Sequence, residues 1–212
     1  MCAIRGALLP HRGPDMKITA FEGPSYAGKT TAIASIASHD PQTAVFDCYV
    51  RGLSRQDVPP ARTRTRDEQL AAFELFMCVE RERVRRISDM ADSGSLPTLV
   101  ILDRSVDTLL AHAQALDTLF GMDVRDAIAK RVAELPYLVP DLTLYLDVDA
   151  STLQARRAAG GSAGDYFLHE PQFLGPWRDY FSGNGPKVTR RIEWIDAAGL
   201  LPEVTKSIRS LL

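Results

Sequence analysis

Short runs rich in apolar residues alternate along the chain with longer stretches in which apolar residues recur at helical spacing. The runs are typical of strands buried in a parallel sheet, and they cover residues 17–22, 43–49, 98–103, 141–147 and 191–196. The helical spacing predicts helices over residues 31–37, 65–91, 105–119, 123–134, 151–159, 171–182 and 201–212. This alternation predicts an α/β fold in which a five-stranded parallel sheet carries helices on both faces.

The longest predicted helix has the clearest start signal, because Thr65 and Glu68 form a Thr-x-x-Glu capping box. The residues before it, 50–64, contain a glycine, two prolines and four arginines, a composition that predicts a loop. We expect the Arg-rich side of the helix to be a solvated face; its members are Arg81, Arg83, Arg85 and Arg86.

Length and composition fit a single α/β domain. The chain has 212 residues, of which 45% are hydrophobic and 25% charged, and a chain of this length can bury its own core. The formal net charge of −2 gives no reason to expect bulk binding to nucleic acid or to a membrane, and no apolar run approaches the roughly 20 residues of a membrane helix. Three cysteines at unrelated spacings predict neither a disulfide framework nor a zinc site, which favours a reducing cytoplasm.

Residues 1–15 differ in character from the rest of the chain. Their apolar part is too short for a secretory signal, so we expect a loose N-terminal tail and a folded domain covering residues 16–212. The sequence shows no internal repeat and no sign of a second domain.

The segment between the first predicted strand and helix reads Gly-Pro-Ser-Tyr-Ala-Gly-Lys-Thr over residues 23–30. It matches the phosphate-loop pattern G-x-x-x-x-G-K-[ST], and its strand–loop–helix context favours a real site over a chance glycine-rich turn. Successive backbone N–H groups and the helix N-terminus would bind phosphate. Gly23 and Gly28 would adopt conformations that a side chain forbids.

This loop predicts a nucleoside triphosphate site with a magnesium ion. Lys29 would reach the β- and γ-phosphates, and the Thr30 hydroxyl is placed to bind Mg²⁺. The residues expected to contact the nucleotide are Gly23, Pro24, Ser25, Tyr26, Ala27, Gly28, Lys29, Thr30 and Thr31.

Acidic residues stand at the ends of the predicted strands, where parallel sheets bind ligands. Asp103 ends the central strand and would hold Mg²⁺ or orient an acceptor; the alternative is that it caps the helix beginning at Ser105. Arg104 would clamp an acceptor phosphate or hold a carboxylate base. Asp47 is the other candidate base, and a structural turn residue is the alternative for it.

A glycine-rich run, residues 160–164, predicts a lid over about residues 156–180. Neighbouring aromatic residues, among them Tyr166, would give the lid apolar surface to close with. Glycine hinges would let arginines fold over the transferring phosphate and exclude water; these are Arg156, Arg157 and Arg178. The alternative is a plain surface loop.

Four blocks of sequence resemble the thymidylate kinase family: residues 21–31, 103–111, 140–149 and 195–197. The resemblance extends over roughly residues 16–212 and implies a P-loop kinase fold with a lid, and a homodimer that transfers the γ-phosphate of Mg-ATP to a deoxynucleoside monophosphate. The family has its Asp-Arg pair where Asp103 and Arg104 stand. Tyr26 occupies a position at which some members carry a catalytic Arg, so the chain resembles the members in which a lid arginine serves instead.

The acceptor side departs from the family pattern. Ser25 stands where the family usually has a sugar-contacting Asp, and no Arg-Glu-Pro-Gly motif follows the second strand. Glu80 falls where the family places a phosphate-binding Arg, and His112 where it commonly has a Tyr near the thymine. The Glu80 carboxylate would repel an acceptor phosphate unless a cation lies between them. Without visible partners, His112 and His169 are otherwise expected to be packing or surface residues.

These observations favour a kinase acting on a nucleotide, a nucleoside or a modified relative, with ATP and Mg²⁺. A nucleoside monophosphate and a nucleoside hydroxyl compete as acceptors, because Asp-Arg-Ser also resembles the Glu-Arg-Ser motif of deoxynucleoside kinases, whose strand-two acid corresponds to Asp47. A further hypothesis is that the acceptor is a hydroxymethylated base, free or in DNA. The non-kinase alternative is a P-loop ATPase or nucleotide-sensing module. The residues expected to contact the acceptor are Asp47, Phe76, Glu80, Arg104, His112 and Tyr166.

Overall fold

The computed structural model describes residues 16–54, 59, 63–160, 170–183 and 187–212. Their strands form one sheet in the order β2-β3-β1-β4-β5, and every neighbouring pair is parallel. The strands are β1 (Lys17–Glu22), β2 (Thr43–Phe46), β3 (Leu99–Asp103), β4 (Leu142–Asp147) and β5 (Ile192–Asp196). The predicted five-stranded parallel sheet is therefore confirmed.

Helices connect the strands and account for most of the remaining described chain. They are α1 (Lys29–Ala37), α2 (Tyr49–Gly52), α3 (Arg66–Asp92), α4 (Val106–Phe120), α5 (Arg125–Glu134), α6 (Ala150–Gly160), α7 (Pro171–Ser182) and α8 (Leu201–Arg209). All except α2 were predicted, with small shifts at their ends of the size that fraying helix termini produce.

The central strands bury both of their faces. On β1, Ile18 and Ala20 pack in a cluster with Ile87 of α3, whereas Phe21 packs on the opposite side with Ile33 of α1. Adjacent side chains of a strand point to opposite faces, so this division places α3 on one face and α1 on the other. The prediction of helices on both faces is confirmed.

Helix α3 begins as its sequence predicts, but one of its arginines does not face solvent. The Glu68 amide donates to Thr65 Oγ1 at 3.3 Å, and the Thr65 amide donates to Glu68 Oε2 at 2.9 Å, which completes the capping box. Arg81, Arg85 and Arg86 are exposed as expected. Arg83 is only 2% exposed, so the prediction of a solvated face was wrong for this residue.

The second strand is shorter than predicted, and a helical turn opens the predicted loop after it. The ladder between β2 and β3 ends at Phe46 and Leu102, because β3 itself ends at Asp103. Arg104 then turns away with a φ angle of 74°. Tyr49 enters the core and starts α2, where we predicted a strand through residue 49 and a loop from residue 50.

Several predicted features lie outside the described residues. These are the tail over residues 1–15, residues 55–58 and 60–62 of the loop 50–64, the centre of the lid at residues 161–169, and with it Tyr166 and His169. Within the described ranges, no helix combines the length and the apolar character that crossing a membrane requires.

Candidate active site

The phosphate loop joins β1 to α1 in a conformation that depends on its glycines. Gly23 has a φ angle of 121°, and a Cβ atom at this position would collide with the carbonyl oxygen of Leu146 on β4. Gly28 has a φ angle of 93° and is the N-cap of α1. Both residues thus occupy the left-handed region that only glycine enters without strain, and the loop bends close against the sheet.

Lys29 lies under this loop and holds it from within. Its Nζ donates to the carbonyl oxygens of Gly23 at 3.0 Å and Pro24 at 2.7 Å, and the residue is 6% exposed. Burial, followed by the nearby Arg104 guanidinium, lowers the pKa of Lys29 to about 7, although Asp103 and Glu22 act in the opposite direction. A phosphate group placed in the loop would favour the charged ammonium form.

Two oxygen-bearing side chains meet beside the loop. Thr30 Oγ1 donates to Asp103 Oδ2 at 3.1 Å, and Asp103 is 4% exposed at the end of β3. The N-cap of α4 is Ser105, whose Oγ accepts from the Asp107 amide, so the capping role considered for Asp103 is taken by another residue. A hydroxyl and a carboxylate are hard oxygen ligands, and Mg²⁺ in phosphoryl-transfer sites needs one or two of these besides phosphates and water.

The part of the chain that the structure describes contains no group of three or more His, Cys, Asp or Glu side chains that could hold a metal ion. A metal beside the loop would therefore depend on Thr30, Asp103 and the phosphates of the nucleotide. This donor set fits Mg²⁺, which seldom occupies an all-protein cage.

Arg104 follows Asp103 and sits in a buried polar network with Glu22. Its Nη1 lies 3.4 Å from Thr108 Oγ1 and 4.0 Å from Glu22 Oε2. Glu22 is fully buried and accepts hydrogen bonds from the amide and hydroxyl of Ser105 and from the Thr108 hydroxyl. Burial raises the pKa of Glu22 against the opposing effects of Arg104 and these donors. We had treated Glu22 only as a strand end, although an acid directly before the loop glycine was a signal for this role.

Aromatic rings from α4 and α7 surround the Arg104 side chain. Its Cζ lies 5.4 Å from the Trp177 ring centroid, and the His112 ring lies 5.2 Å from Phe173 and 6.4 Å from Trp177. Burial, and next Arg104, lowers the pKa of His112 to about 4, so this imidazole is neutral at pH 7. The packing role considered for His112 agrees with this setting. Phe76 packs against the hydrophobic cluster that contains Phe173 and Trp177, with its ring 5.7 Å from that of Tyr49.

Glu80 does not face an acceptor in this structure. It is fully buried, and its Oε1 accepts from the Tyr49 hydroxyl and from Arg83 Nη1, each at 2.6 Å. Its Oε2 accepts from the Leu138 amide at 3.4 Å. The predicted direct contact with an acceptor was wrong, because both carboxylate oxygens are engaged inside the protein. The cation that offsets its charge is Arg83, one helical turn further along α3.

Asp47 directly follows β2, at the carboxyl edge of the sheet where the phosphate loop and Asp103 lie. Its side chain is 67% exposed, and Oδ1 is 3.9 Å from Arg51 Nη1, a distance that leaves the carboxylate weakly held. Its carbonyl oxygen accepts a hydrogen bond from Arg83 Nη2. The main chain of Asp47 is therefore fixed while its carboxylate stays accessible.

The arginines assigned to the lid occupy three different settings. Arg156 of α6 lies 2.8 Å from the carbonyl oxygen of Ala197 and 3.4 Å from those of Tyr26 and Ala27. Arg178 of α7 donates to Asp147 at 2.6 Å, and Arg157 is exposed. A cavity of about 370 Å³ adjoins the outer side of the phosphate loop; its lining includes Tyr26, Gly28, Thr31, Arg156 and Leu201.

Comparisons with known proteins agree with this architecture. No protein-family model matches the chain. Thymidylate kinase from Candida albicans superposes with a TM-score of 0.70 and 18% identity, over 93% of this chain and 91% of that one. The chain has a thymidylate-kinase-like P-loop kinase fold. Deoxyadenosine kinase from M. mycoides, solved with bound dATP, superposes with a TM-score of 0.66 and 15% identity, over 92% of this chain and 98% of that one.

Sequence relatives carry the same family name. Thymidylate kinase from Latilactobacillus sakei subsp. sakei (strain 23K) is 28% identical over 151 residues, 66% of this chain and 67% of the relative. Thymidylate kinase from Rickettsia bellii (strain OSU 85-389) is 28% identical over 120 residues, 57% of this chain and 55% of the relative, so the chain spans little more than half of that relative's length. Because these proteins are named kinases, they support the expectation of an ATP-dependent phosphotransferase.

Within this thymidylate-kinase-like fold, the two halves of the site differ in how they are built. The structure brings Lys29 and Thr30 of α1 together with Asp103 of β3 beside the phosphate loop, where the sequence predicts them. The part predicted to bind the acceptor draws on residues from many elements: Arg104 contacts Glu22, Arg83 and Trp177, which the sequence did not predict beside it.

Proposed function

We propose that this chain is an ATP-dependent nucleoside or nucleotide kinase, which transfers the γ-phosphate of Mg-ATP to a nucleoside monophosphate or a related nucleoside-type acceptor. The observation that carries the proposal is the 3.1 Å contact between Thr30 and Asp103 beside a loop that buries Lys29. This arrangement unites a phosphate cradle, an ammonium group and a Mg²⁺-type donor pair at the carboxyl edge of a parallel sheet.

On the donor side, residues 23–31 would bind the phosphates through backbone N–H groups, and Lys29 would exchange its two carbonyl partners for phosphate oxygens. Thr30 and Asp103 would hold Mg²⁺, which when bound neutralises charge on the β- and γ-phosphates. The cavity beside Arg156 would accept the nucleoside part of ATP. Arg157, together with the lid over about residues 156–180, would exclude water from the transfer.

On the acceptor side, Arg104 would bind an acceptor phosphate. Its guanidinium is held by Glu22 and Trp177, so it would meet the acceptor in a fixed orientation. The neutral imidazole of His112 would donate or accept a hydrogen bond at the acceptor base. Phe76 and Tyr166 would add aromatic surface for that base.

A second candidate acceptor is a nucleoside hydroxyl. The accessible carboxylate of Asp47 favours this candidate, because a hydroxyl needs a base within hydrogen-bond reach and a phosphate does not. The neutralisation of Glu80 by Arg83 points the other way, since it removes the repulsion that an acceptor phosphate would have met. We rank the monophosphate first for this reason, together with the names of the sequence relatives.

Consumption of Mg-ATP, measured with a panel of nucleoside monophosphates, nucleosides and no acceptor, tests the proposal. We expect an acceptor to stimulate consumption and to gain phosphate. The variant Asp47→Asn separates the candidates, because it should impair transfer to a hydroxyl far more than transfer to a monophosphate. Hydrolysis that no acceptor changes would contradict the kinase proposal and favour an ATPase or a nucleotide-sensing module. The homodimer and the cytoplasmic location implied above belong to the same proposal, and light scattering of the purified chain tests the former.

A further inference from the structure

One buried guanidinium group joins the two strand ends that flank the acceptor side. Arg83 of α3 donates through Nη1 to the carbonyl oxygen of Arg104 at 3.0 Å and through Nη2 to the carbonyl oxygen of Asp47. Asp47 directly follows β2, and Arg104 directly follows β3. The Arg83 side chain therefore links the main chains of Asp47 and Arg104. In the proposed function, Asp47 would act on an acceptor hydroxyl and Arg104 would bind an acceptor phosphate.

The surroundings of Arg83 hold its guanidinium in one place. Its Nη1 also donates to Glu80 Oε1 at 2.6 Å, and its Cζ lies 4.7 Å from the ring centroid of Tyr49, whose hydroxyl donates to the same carboxylate oxygen. Burial opposes the charged form of Arg83, but Glu80, Tyr49 and Cys48 together outweigh it, and the pKa of Arg83 lies above its ordinary value. The Arg83 guanidinium stays charged, and both side chains of the pair are shielded from water.

Fold stability alone gives a weak reason for this ion pair, because an apolar pair of similar volume commonly stabilises a core as well or better. The two carbonyl groups that it satisfies offer a stronger reason. The Arg104 amide donates to the Phe21 carbonyl of β1 at 3.1 Å, but both carbonyl groups lie beyond the last β2–β3 pair, Phe46 and Leu102, so that ladder does not fix the separation of Asp47 from Arg104. Arg104 also has a φ angle of 74°, a strained conformation that persists only where neighbouring contacts impose it.

We propose that Arg83, oriented by Glu80, is a positioning residue for the acceptor: it sets the separation and orientation of Asp47 and Arg104 without touching the acceptor itself. The inference rests on the proposed function, since it concerns the same site. It assigns to α3 a role in the geometry of transfer, exercised through main-chain carbonyl groups.

The test removes both charges at once, so that no unpaired charge remains in the core. The double variant Glu80→Leu/Arg83→Met does this. The control is Glu82→Leu/Arg85→Met, which removes an exposed Glu–Arg pair of the same helix with the same spacing and a distance of 2.6 Å. We expect kcat/KM for the acceptor to fall by between about tenfold and a hundredfold in the first variant, with ATP affinity unchanged, and to stay unchanged in the control.

The variant Arg83→Lys covers the case in which the double variant fails to fold. A lysine preserves the charge opposite Glu80, but its single ammonium cannot span both carbonyl groups as a planar guanidinium does. We expect Arg83→Lys to show the same selective loss of kcat/KM for the acceptor. Full activity in a folded Arg83→Lys variant would overturn the proposal, because charge alone would then suffice.

A second readout does not need activity. The chain has two tryptophans, and Trp194→Phe leaves Trp177, which is 3% exposed and stacked against Arg104. In this background we expect Glu80→Leu/Arg83→Met and Arg83→Lys to shift the Trp177 emission, and the Glu82/Arg85 control to leave it unchanged. Unchanged emission in the folded variants would overturn the proposal. A chain that phosphorylates no acceptor would contradict the proposed function, while the emission would still report whether Arg83 holds Arg104.

Discussion

The donor and acceptor halves of the site are built from different materials. The proposed donor half is mainly one contiguous segment of main-chain groups followed directly by Lys29 and Thr30, to which β3 adds Asp103. The proposed acceptor half consists of Asp47 and Arg104, which follow β2 and β3, with supporting side chains from β1, α2, α3, α4 and α7 that meet them only in the folded chain. A site made of backbone amides is insensitive to most substitutions, whereas a site made of distant side chains can change acceptor with a few of them.

The largest effect should come from Lys29→Ala, which removes the ammonium group of the donor half. We expect transfer to fall by at least about a hundredfold, the scale seen when one preorganised charge-stabilising donor is lost, while the fold persists. Steady-state rates and a thermal melt measure the two quantities. The control is Lys130→Ala on the exposed side of α5. Full activity in Lys29→Ala would contradict the assignment of the donor site to the phosphate loop.

Asp103→Asn should weaken the binding of Mg²⁺ rather than the binding of the nucleotide. The substitution keeps the hydrogen bond to Thr30 feasible but removes the negative charge, so the Mg²⁺ concentration for half-maximal activity should rise by about 10- to 100-fold. A Mg²⁺ titration at saturating ATP measures it, with Asp126→Asn, 87% exposed in its side chain, as the control. An unaltered Mg²⁺ requirement would contradict the proposed role of Asp103 in binding Mg²⁺.

Arg104→Ala should affect mainly the proposed acceptor half. We expect KM for a monophosphate acceptor to rise by about tenfold or more, as expected for the loss of a charge-assisted contact, with little change for a nucleoside. Because Arg104 also lowers the pKa of Lys29, ATP affinity is best compared at about pH 6, where Lys29 is charged in both proteins. Equal loss for both acceptors would mean that Arg104 does not distinguish them; Arg190→Ala is the exposed control.

The smallest effect concerns protons. The pKa of Lys29 is about 7 in the nucleotide-free chain because of burial, and bound phosphates should raise it. ATP binding above pH 7 should therefore take up as much as one proton, and affinity should fall as pH rises, by at most about tenfold per pH unit. Calorimetry in two buffers of different ionisation enthalpy measures the uptake. Identical heats in both buffers would contradict the prediction, and Lys29→Ala should abolish any difference.

Much of the fold and of the donor half could be predicted from sequence because their signals are local. The phosphate loop is one motif in one context, and the buried strands are continuous apolar runs. Asp103 could be placed beside the loop because it ends a continuous apolar run typical of a central strand, and ligands bind at the carboxyl ends of such strands. The same reasoning could not find the end of β2, since it depends on where the partner strand stops.

The acceptor half was harder to predict because its contacts join residues far apart in sequence. Arg83 was grouped with three solvated arginines, although it lies three residues after Glu80 and four before Ile87, on the buried face of α3. That spacing was a usable signal. Its two carbonyl partners were not foreseeable, because they depend on the positive φ angle of Arg104 and on the turn at Tyr49.

The resting position of Lys29 has a consequence for which molecules the chain retains. Its ammonium group already has two oxygen partners in the loop, and an incoming molecule must supply replacements of at least equal strength. ATP and ADP bring phosphate oxygens for this exchange, whereas adenosine brings none and would leave the loop as it is. The phosphate loop should thus favour molecules that carry phosphate groups over nucleosides before any contact with a base is made.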